Sequence, residues 1–205
     1  MALDNGRDGI VVTVRPAGLV LTGARPDRAD KTTLQFDGVP VPVRVARVVA
    51  QVAHPVLVVG PESRTGLASV DDPREGPLAA FAAGIGALAV RGHGGPFLLV
   101  AGDLPLIEAP LLRFIVDALD GYDAAVPVIG HHDQPLCACY ASSAGGVAAR
   151  LAARGETSLA TVLPELRVRR LPSSEWDHLA PPSALLDVDT PEDVAFVKRM
   201  LEGTN

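Results

Sequence analysis

The chain has 205 residues, a formal net charge of −6 and 20% charged residues. This length suits one well-buried domain rather than two, and the acidic balance argues against a nucleic-acid surface, which would need a basic stripe. No apolar run approaches the ~20 residues that a membrane-spanning helix needs, and the N-terminus lacks the features of a signal peptide. We therefore predict one domain over residues 1–205, with residues 1–16 as an N-terminal extension. We expect this domain to bind neither nucleic acid nor membrane.

The two cysteines, Cys137 and Cys139, lie close together in "PLCACY". In a strand their side chains would point to the same face, and so close a pair makes a poor structural disulfide. We therefore expect reduced thiols and a cytoplasmic protein.

Short apolar runs alternate with longer periodic segments, which is the pattern of βαβ units around a mainly parallel sheet. Near-continuous apolar runs at residues 17–21, 55–59 and 97–102 are typical of central strands covered on both faces. Four shorter candidates follow them, namely "AAVPV", "LCACYA", "RVRRL" and "LLDV". The pattern predicts an α/β fold.

Apolar residues at helical spacing predict three helices. The first covers residues 76–90. The second covers residues 109–121 and has Gly121 as its C-cap. The last begins in "DTPEDV", where Thr190 caps the helix and Asp193 completes a capping box.

The segment "VPVPVRVARVVAQV" fits two structures. Its valines alternate as in a strand, whereas Pro40 and Pro42 disfavour a strand interior and the polar residues keep helical spacing. We predict a helix that starts near Val41.

The first predicted strand ends in a polar loop, "LTGARPDRADK". In open α/β sheets, ligands bind outside the carboxyl ends of the strands. Gly23 lets backbone N–H groups approach phosphate oxygens, and Lys31 can neutralise a triphosphate with help from Arg25 and Arg28. A solvated surface loop with scattered charges explains this stretch equally well.

Carboxylates follow two of the predicted strands. Asp103 stands at the carboxyl end of "FLLVAGD", where a buried charge is costly unless it faces a cleft or binds something. Asp187 and Asp189 alternate at the "LLDV" strand and share one face. If the two strands are neighbours, Asp103 and Asp189 can share a Mg²⁺ ion, which prefers oxygen ligands. The alternatives are an Asp103 that caps a turn and an aspartate solvated at a strand end.

The segment "DDPREGPLAA" opens a helix at Gly76 and Pro77. Its N-terminal N–H groups can face a base or a phosphate. Asp71 or Asp72 can accept a hydrogen bond from a nucleobase amino group. Spacing alone is a weak signal for this site.

Together these motifs resemble the MobA-like nucleotidyltransferase family, which includes molybdenum-cofactor guanylyltransferases and their cytidylyltransferase relatives. The resemblance runs from about Gly18 to the last helix. It rests on "LTGARPDRADK", "DDPREGPLAA", "AGDLPLI", "QPLCACY" and "DVDTPEDV". It implies a three-layer α/β/α fold with a mainly parallel, Rossmann-like sheet of the nucleotide-diphospho-sugar transferase type.

The resemblance also implies an activity and its site residues. A nucleoside triphosphate, most readily GTP, would bind with Mg²⁺, and a phosphate of the acceptor, such as molybdopterin, would attack its α-phosphorus and release pyrophosphate. Lys31 and Asp103 would be catalytic, and Asp103 and Asp189 would hold the metal. The nucleotide would contact Leu21, Gly23, Ala24, Arg28, Lys31, Asp72 (or Asp71) and Gly76. Partner proteins of cofactor biosynthesis are a further expectation.

The chain departs from the family pattern at several positions. Ala24 replaces the second loop glycine and the end of the loop is shortened, which predicts weaker phosphate binding. Ala80 replaces a glycine, and Thr157 and Ser158 stand where the guanylyltransferases tend to have arginine. Two alternatives to guanylyl transfer are therefore kept. One is transfer of another nucleotide, for example a cytidylyl group, and the other is a catalytically weak homologue that binds a nucleotide or a protein.

Two features have no assigned role. His131 and His132 lie in a loop, where adjacent histidines are more often solvated than bound to a metal. Trp176 either covers the cleft or attaches a loop to the body of the fold.

Overall fold

The computed structural model describes residues 15–23, 35–36, 38–60 and 66–202. In chain order the strands are β1 (Ala17–Leu21), β2 (Gln35–Phe36), β3 (Val39–Pro40), β4 (Val56–Val59), β5 (Ala68–Val70), β6 (Phe97–Ala101), β7 (Ala124–Ile129), β8 (His132–Asp133), β9 (Cys137–Tyr140) and β10 (Val168–Pro172). The α-helices are α1 (Val41–Val49), α2 (Pro77–Val90), α3 (Ala109–Asp117), α4 (Ser143–Ala152) and α5 (Pro191–Glu202). Short 3-10 helices cover Leu159–Glu165, Ser173–Glu175 and Pro182–Leu185.

The main sheet is mostly parallel. Its strand order is β10-β7-β9-β6-β1-β4-β5, with β8 paired to β7, while β2 and β3 form a separate pair. Strand β9 runs antiparallel between β6 and β7. Strand β1 lies between two parallel neighbours, so that Leu21 pairs with Val59 on one side and with Ala101 on the other. The carboxyl ends of β1, β4 and β6 therefore meet at one edge.

Helices cover both faces of this sheet. Helices α1, α3 and α5 share one apolar core with one face of the strands, and α2 and α4 share a second core with the other face. Side chains alternate between the two cores along β1, where Leu19 faces α2 and Val20 faces α1. Every residue of β4 and β6 is buried. The predicted three-layer α/β/α fold is confirmed.

Helix α1 begins at Val41, as predicted, in spite of the alternating valines. Pro42 lies in the first turn of the helix, where a missing N–H group costs no intrahelical hydrogen bond. Val41, Val45 and Val49 are buried on one side of the helix.

The predicted strand at "LLDV" is wrong. Pro182–Leu185 form a 3-10 helix, and residues 186–189 have no regular secondary structure. This segment crosses the end of β6 instead of extending the sheet, and the Val188 N–H donates to the Asp103 carbonyl at 2.9 Å.

Helix α3 ends earlier than predicted, at Asp117 instead of next to Gly121. After it, the Leu119 N–H donates to the Val116 carbonyl at 3.2 Å and the Tyr122 N–H to the Leu119 carbonyl at 2.8 Å. These bonds belong to tight turns, and Gly121 (φ 74°) lies in the second of them. Within the described ranges, no helix combines the length and apolarity needed to cross a membrane.

Candidate active site

The floor of the site is the backbone at the ends of β1, β4 and β6. The Thr22 N–H donates to the Val59 carbonyl at 2.9 Å, and the Gly102 N–H donates to the Leu21 carbonyl at 2.7 Å. Thr22 is buried between two glycines, since a Cβ at Gly60 would overlap its hydroxyl and a Cβ at Gly102 would lie 2.9 Å from its methyl group. The start of the first loop is therefore packed tightly against the residues that follow β4 and β6.

Three carboxylates meet beside this floor. Asp103, Asp187 and Asp189 each offer one oxygen, and these oxygens lie within 4.8 Å of one another. The Oδ1 atoms of Asp103 and Asp189 are buried, whereas Asp187 is exposed. The structure thus brings together Asp103 and Asp189, which were expected to share a metal. It adds Asp187 to this pair. The D-x-D spacing of Asp187 and Asp189 was the feature of the sequence that could have indicated this third carboxylate.

The donor set of this cluster suits a hard divalent cation, because it consists of carboxylate oxygens that converge from two segments of the chain. A cation between the carboxylates would also offset their mutual repulsion. The exposed side chain of Asp187 leaves an approach from solvent. The residues present therefore fit a metal ion of the kind that nucleotide-transferring enzymes use.

The N-terminus of α5 fixes the backbone of Asp189. The Asp193 Oδ2 atom accepts from the Asp189 N–H at 3.0 Å, from the Thr190 N–H at 2.9 Å and from the Thr190 hydroxyl at 2.9 Å. In return the Asp193 N–H donates to the Thr190 hydroxyl oxygen at 3.2 Å. This reciprocal arrangement is the predicted capping box, and it holds the segment that carries two of the three carboxylates.

On the other side of Thr22, Asp72 adjoins the first loop. Its Oδ1 atom accepts from the Arg74 N–H at 2.8 Å, and Arg74 has a φ of 63°. Its Oδ2 atom lies where a Cβ of Gly23 would be. Of the two acidic candidates, Asp72 therefore packs against Gly23, whereas Asp71 is exposed.

The start of α2 is packed against the segment that follows α4. Gly76 has φ 96° and ψ 172°, a conformation that only glycine adopts readily. A Cβ at Gly76 would lie 2.7 Å from the Thr157 carbonyl oxygen, and that oxygen accepts from the Leu78 N–H at 3.1 Å. The Leu78 N–H is therefore used within the protein and does not face a ligand. Ala80, at the position of a family glycine, is buried.

Several predicted site residues lie outside the described residues: Ala24, Arg25, Arg28 and Lys31. Their roles stay predictions. Leu21 is described, and it ends β1 between β4 and β6.

The remaining candidates do not belong to the three-carboxylate group. His131 and His132 are exposed at the turn between β7 and β8. Trp176 is buried and its Nε1–H donates to the Leu171 carbonyl at 3.0 Å, so it attaches a loop to the body of the fold. Burial raises the pKa of Cys137 and of Cys139 to about 12, so neither thiol is a nucleophile near neutral pH.

A family model described as the MobA-like NTP transferase domain matches residues 18–170. The chain belongs to the MobA-like NTP transferase family. The match contains the first loop, the Asp72 segment and Asp103, while Asp187 and Asp189 follow it. The resemblance found in the sequence motifs is confirmed, and the protein is a nucleotidyltransferase.

Curated relatives of this MobA-like enzyme cover different shares of its length. A protein of Pelotomaculum thermopropionicum named "Probable molybdenum cofactor guanylyltransferase" is 29% identical over 200 residues, which is 93% of this chain and 96% of the relative. A protein of Natronomonas pharaonis with the same name is 31% identical over 139 residues, or 60% of this chain and 66% of the relative.

A solved structure shares the fold of the chain. Molybdopterin-guanine dinucleotide biosynthesis protein A from Archaeoglobus fulgidus superposes with a TM-score of 0.76 at 20% identity. The match covers 91% of this chain and 99% of that one. This likeness extends the three-layer assignment beyond the region of the family model.

Proposed function

We propose that this MobA-like enzyme transfers GMP from GTP to molybdopterin, with Mg²⁺, and releases pyrophosphate. The observation that carries the proposal is the convergence of Asp103, Asp187 and Asp189 within 4.8 Å at the carboxyl edge of the sheet. The acceptor is proposed from the name of the Pelotomaculum relative, which is similar over 93% of the chain.

The metal half of the proposed site consists of the three aspartates. Asp103, Asp187 and Asp189 would hold Mg²⁺, which supplies charge neutralisation at the phosphates when it is bound. The chain's own part is to keep these oxygens in place, through the Val188 N–H bond to Asp103 and the capping box of α5. Positioning and charge neutralisation account for most of the catalysis of phosphoryl-type transfers.

The nucleotide half of the proposed site consists of the first loop and Asp72. Gly23 and Ala24 would present N–H groups to the phosphates, and Arg28 and Lys31 would neutralise them. Lys31 is thus proposed as a catalytic residue beside Asp103. Leu21 and Gly76 would border the nucleotide.

Asp72 would favour guanine over adenine and cytosine. A carboxylate accepts hydrogen bonds only, and guanine presents two adjacent donors, N1–H and the 2-amino group, on one edge. Adenine and cytosine present one amino donor beside a ring-nitrogen acceptor, which a carboxylate repels. The Arg74 N–H holds one oxygen of Asp72 and orients the carboxylate for this contact.

Cytidylyl transfer is the second candidate. It is favoured by Asp189, which stands where the guanylyltransferases more often have asparagine. The chemistry at the α-phosphorus is the same for both candidates, so that only the base distinguishes them.

Isothermal titration with GTP, CTP and ATP, each with and without Mg²⁺, tests this proposal. We expect GTP to bind at least tenfold more tightly than CTP or ATP, and only with Mg²⁺. The Asp72→Asn variant should lose the preference for GTP while it keeps binding through the phosphates. Tighter binding of CTP would instead support the cytidylyltransferase, and the absence of any binding below millimolar concentration would contradict a nucleotide site.

A further inference from the structure

The turn that carries Asp103 is held at two backbone carbonyls. The Asp103 carbonyl accepts from the Val188 N–H at 2.9 Å, and the Pro105 carbonyl accepts from Nε of Arg44 at 2.6 Å. The first bond joins the turn to the segment with the other two carboxylates. The second joins it to α1, the helix that follows the first loop. These two bonds join the turn to a different segment on each side.

Arg44 is an unusual residue for its place in α1. It lies between the buried residues Val43 and Val45, in a helix that packs against β6 and α3. The residue is half-buried. Partial burial of a guanidinium is costly unless its N–H groups are bonded. The short contact with Pro105 supplies such a bond.

We infer that Arg44 is a positioning residue, which holds the 103–105 turn so that the Asp103 carboxylate stays within reach of Asp187 and Asp189. This inference rests on the proposed function, in which the three carboxylates bind a divalent cation. Arg44 acts on the metal through the backbone of Pro105. Its contribution to the site is geometric and comes from the N–H donor to the Pro105 carbonyl.

Metal sites depend on the groups that fix their ligands. Loss of a supporting hydrogen bond outside the ligand shell commonly weakens metal affinity by about 10- to 100-fold. A turn freed from α1 would let the Asp103 carboxylate move, since Asp103 lies two residues from Pro105. We therefore expect a loss of metal affinity near the lower end of this range.

Two uncharged replacements separate geometry from charge. Arg44→Gln places an amide nitrogen the same number of bonds from the backbone as Nε of arginine, so that an N–H donor to Pro105 is kept. Arg44→Met places a methyl group there and removes the donor. Both variants lose the positive charge, and of the two only Arg44→Gln keeps a donor at this position.

The experiment is a titration of the full chain with Mn²⁺ alone, followed by electron paramagnetic resonance, with thermal melting of each variant measured in parallel. We expect the wild type and Arg44→Gln to bind Mn²⁺ similarly, and Arg44→Met to bind about tenfold more weakly. Arg44→Ala, which also lacks the donor, replaces Arg44→Met if that variant does not fold.

The other outcomes overturn the inference in distinguishable ways. If both uncharged variants bind Mn²⁺ as the wild type does, Arg44 does not position the metal ligands. If both bind it equally more weakly or more tightly than the wild type, Arg44 acts through its charge. A lower melting temperature for Arg44→Met with unchanged Mn²⁺ affinity would mean that the bond serves stability alone. If the wild type itself binds no Mn²⁺, the metal site of the proposed function fails, and the inference fails with it.

Discussion

The two sides of the sheet edge build the candidate site in different ways. On the β6 side, side-chain carboxylates form the metal half, whereas on the β4 and β5 side, glycine backbones pack closely against neighbouring residues. Asp103, Asp187 and Asp189 supply three clustered side chains, and hydrogen bonds hold the backbones of Asp103 and Asp189. On the opposite side, Gly23 and Gly76 leave no room for a Cβ. Substitutions should therefore impair the two sides differently, because the β6 side is sensitive to the removal of side-chain atoms and the β4 and β5 side to their addition.

The largest loss of activity is expected from a substitution on the β6 side. Asp103→Asn keeps the shape of the side chain but removes its charge. We expect pyrophosphate release from GTP to fall by about a hundredfold or more, because a bound metal supplies several kcal/mol of transition-state stabilisation. The measurement is a steady-state pyrophosphate assay with GTP, Mg²⁺ and molybdopterin as the acceptor.

Asp177→Asn is the matched control for that change, since Asp177 is exposed and is not one of the three clustered carboxylates. It should leave the rate unchanged. A normal rate for Asp103→Asn would remove Asp103 from the mechanism and with it the chemical role given to the β6 side.

On the β4 and β5 side, Gly23→Ala should act through Asp72. The added Cβ would occupy the position of the Asp72 Oδ2 atom, so that the carboxylate must turn away. We expect the KM for GTP to rise roughly tenfold, the loss of about one hydrogen bond to a charged group, with a smaller change in kcat.

The Gly23→Ala, Asp72→Ala and double variants form a thermodynamic cycle for this contact. If Gly23 acts through Asp72, the double variant should resemble Asp72→Ala, because the two changes remove the same interaction. Additive effects on KM would show that Gly23 and Asp72 act separately.

Gly76, which precedes α2, and Gly86, which lies within it, should respond in opposite ways when each is replaced by alanine. Gly76→Ala should destabilise the protein by about 1–3 kcal/mol, because its backbone conformation suits only glycine and the new Cβ would meet Thr157. Gly86→Ala should stabilise it by about 0.5–1 kcal/mol, since Gly86 lies in an exposed part of the helix with nothing within 4 Å of a new Cβ. Urea unfolding measures both, and equal signs would contradict the packing described for Gly76.

The smallest effect concerns a carboxylate outside both halves. The Ser143 hydroxyl and the Arg167 N–H donate to Asp123 and lower its pKa from the usual 3.8. A lowered pKa in the folded state stabilises the protein above pH 3.8, and this contribution disappears as the pH falls through the folded value.

Ser143→Ala removes the main cause of this shift and should reduce the acid sensitivity of unfolding below about pH 4. Because the donors to Asp123 belong to the protein, Mg²⁺ should not change this part of the pH profile. If Mg²⁺ did change this part of the pH profile, Asp123 would not be independent of the metal half.

The strongly patterned elements could be predicted from the sequence. Strand β1 spans Ala17–Leu21, and α5 starts with the capping box around Thr190, as their sequences indicate. In both cases the signal is local, either an apolar run or a cap. Helix α1 was also predictable, because Pro40 and Pro42 exclude a central strand.

The missed elements depend on tertiary contacts. Helix α4 contains Gly145 and Gly146, which lower its helix propensity, and its stability comes from packing on α2, where a Cβ at Gly145 would lie 3.1 Å from Ile85. The short edge strand β5 is defined by its pairing with β4. Neither partner is visible in the local sequence.

The candidate site was also predictable only in part, because some of its contacts depend on tertiary structure. The sequence indicated that Asp103 and Asp189 could meet, but the reason it gave, two neighbouring strands, is wrong. The carboxylates meet because an irregular segment crosses the end of β6, held by the Val188 N–H. The contact between Gly23 and Asp72 required the fold, since the two residues lie on different loops.

The proposed guanylyl transfer is tested most directly by following the α- and γ-phosphates of GTP separately. Wild-type protein is incubated with Mg²⁺, molybdopterin and GTP labelled with ³²P at either the α- or the γ-position. If the enzyme transfers GMP, the α-label should appear in a molybdopterin product and the γ-label only in pyrophosphate. A γ-label in the molybdopterin product, or no labelled product with either GTP, would contradict guanylyl transfer at this site.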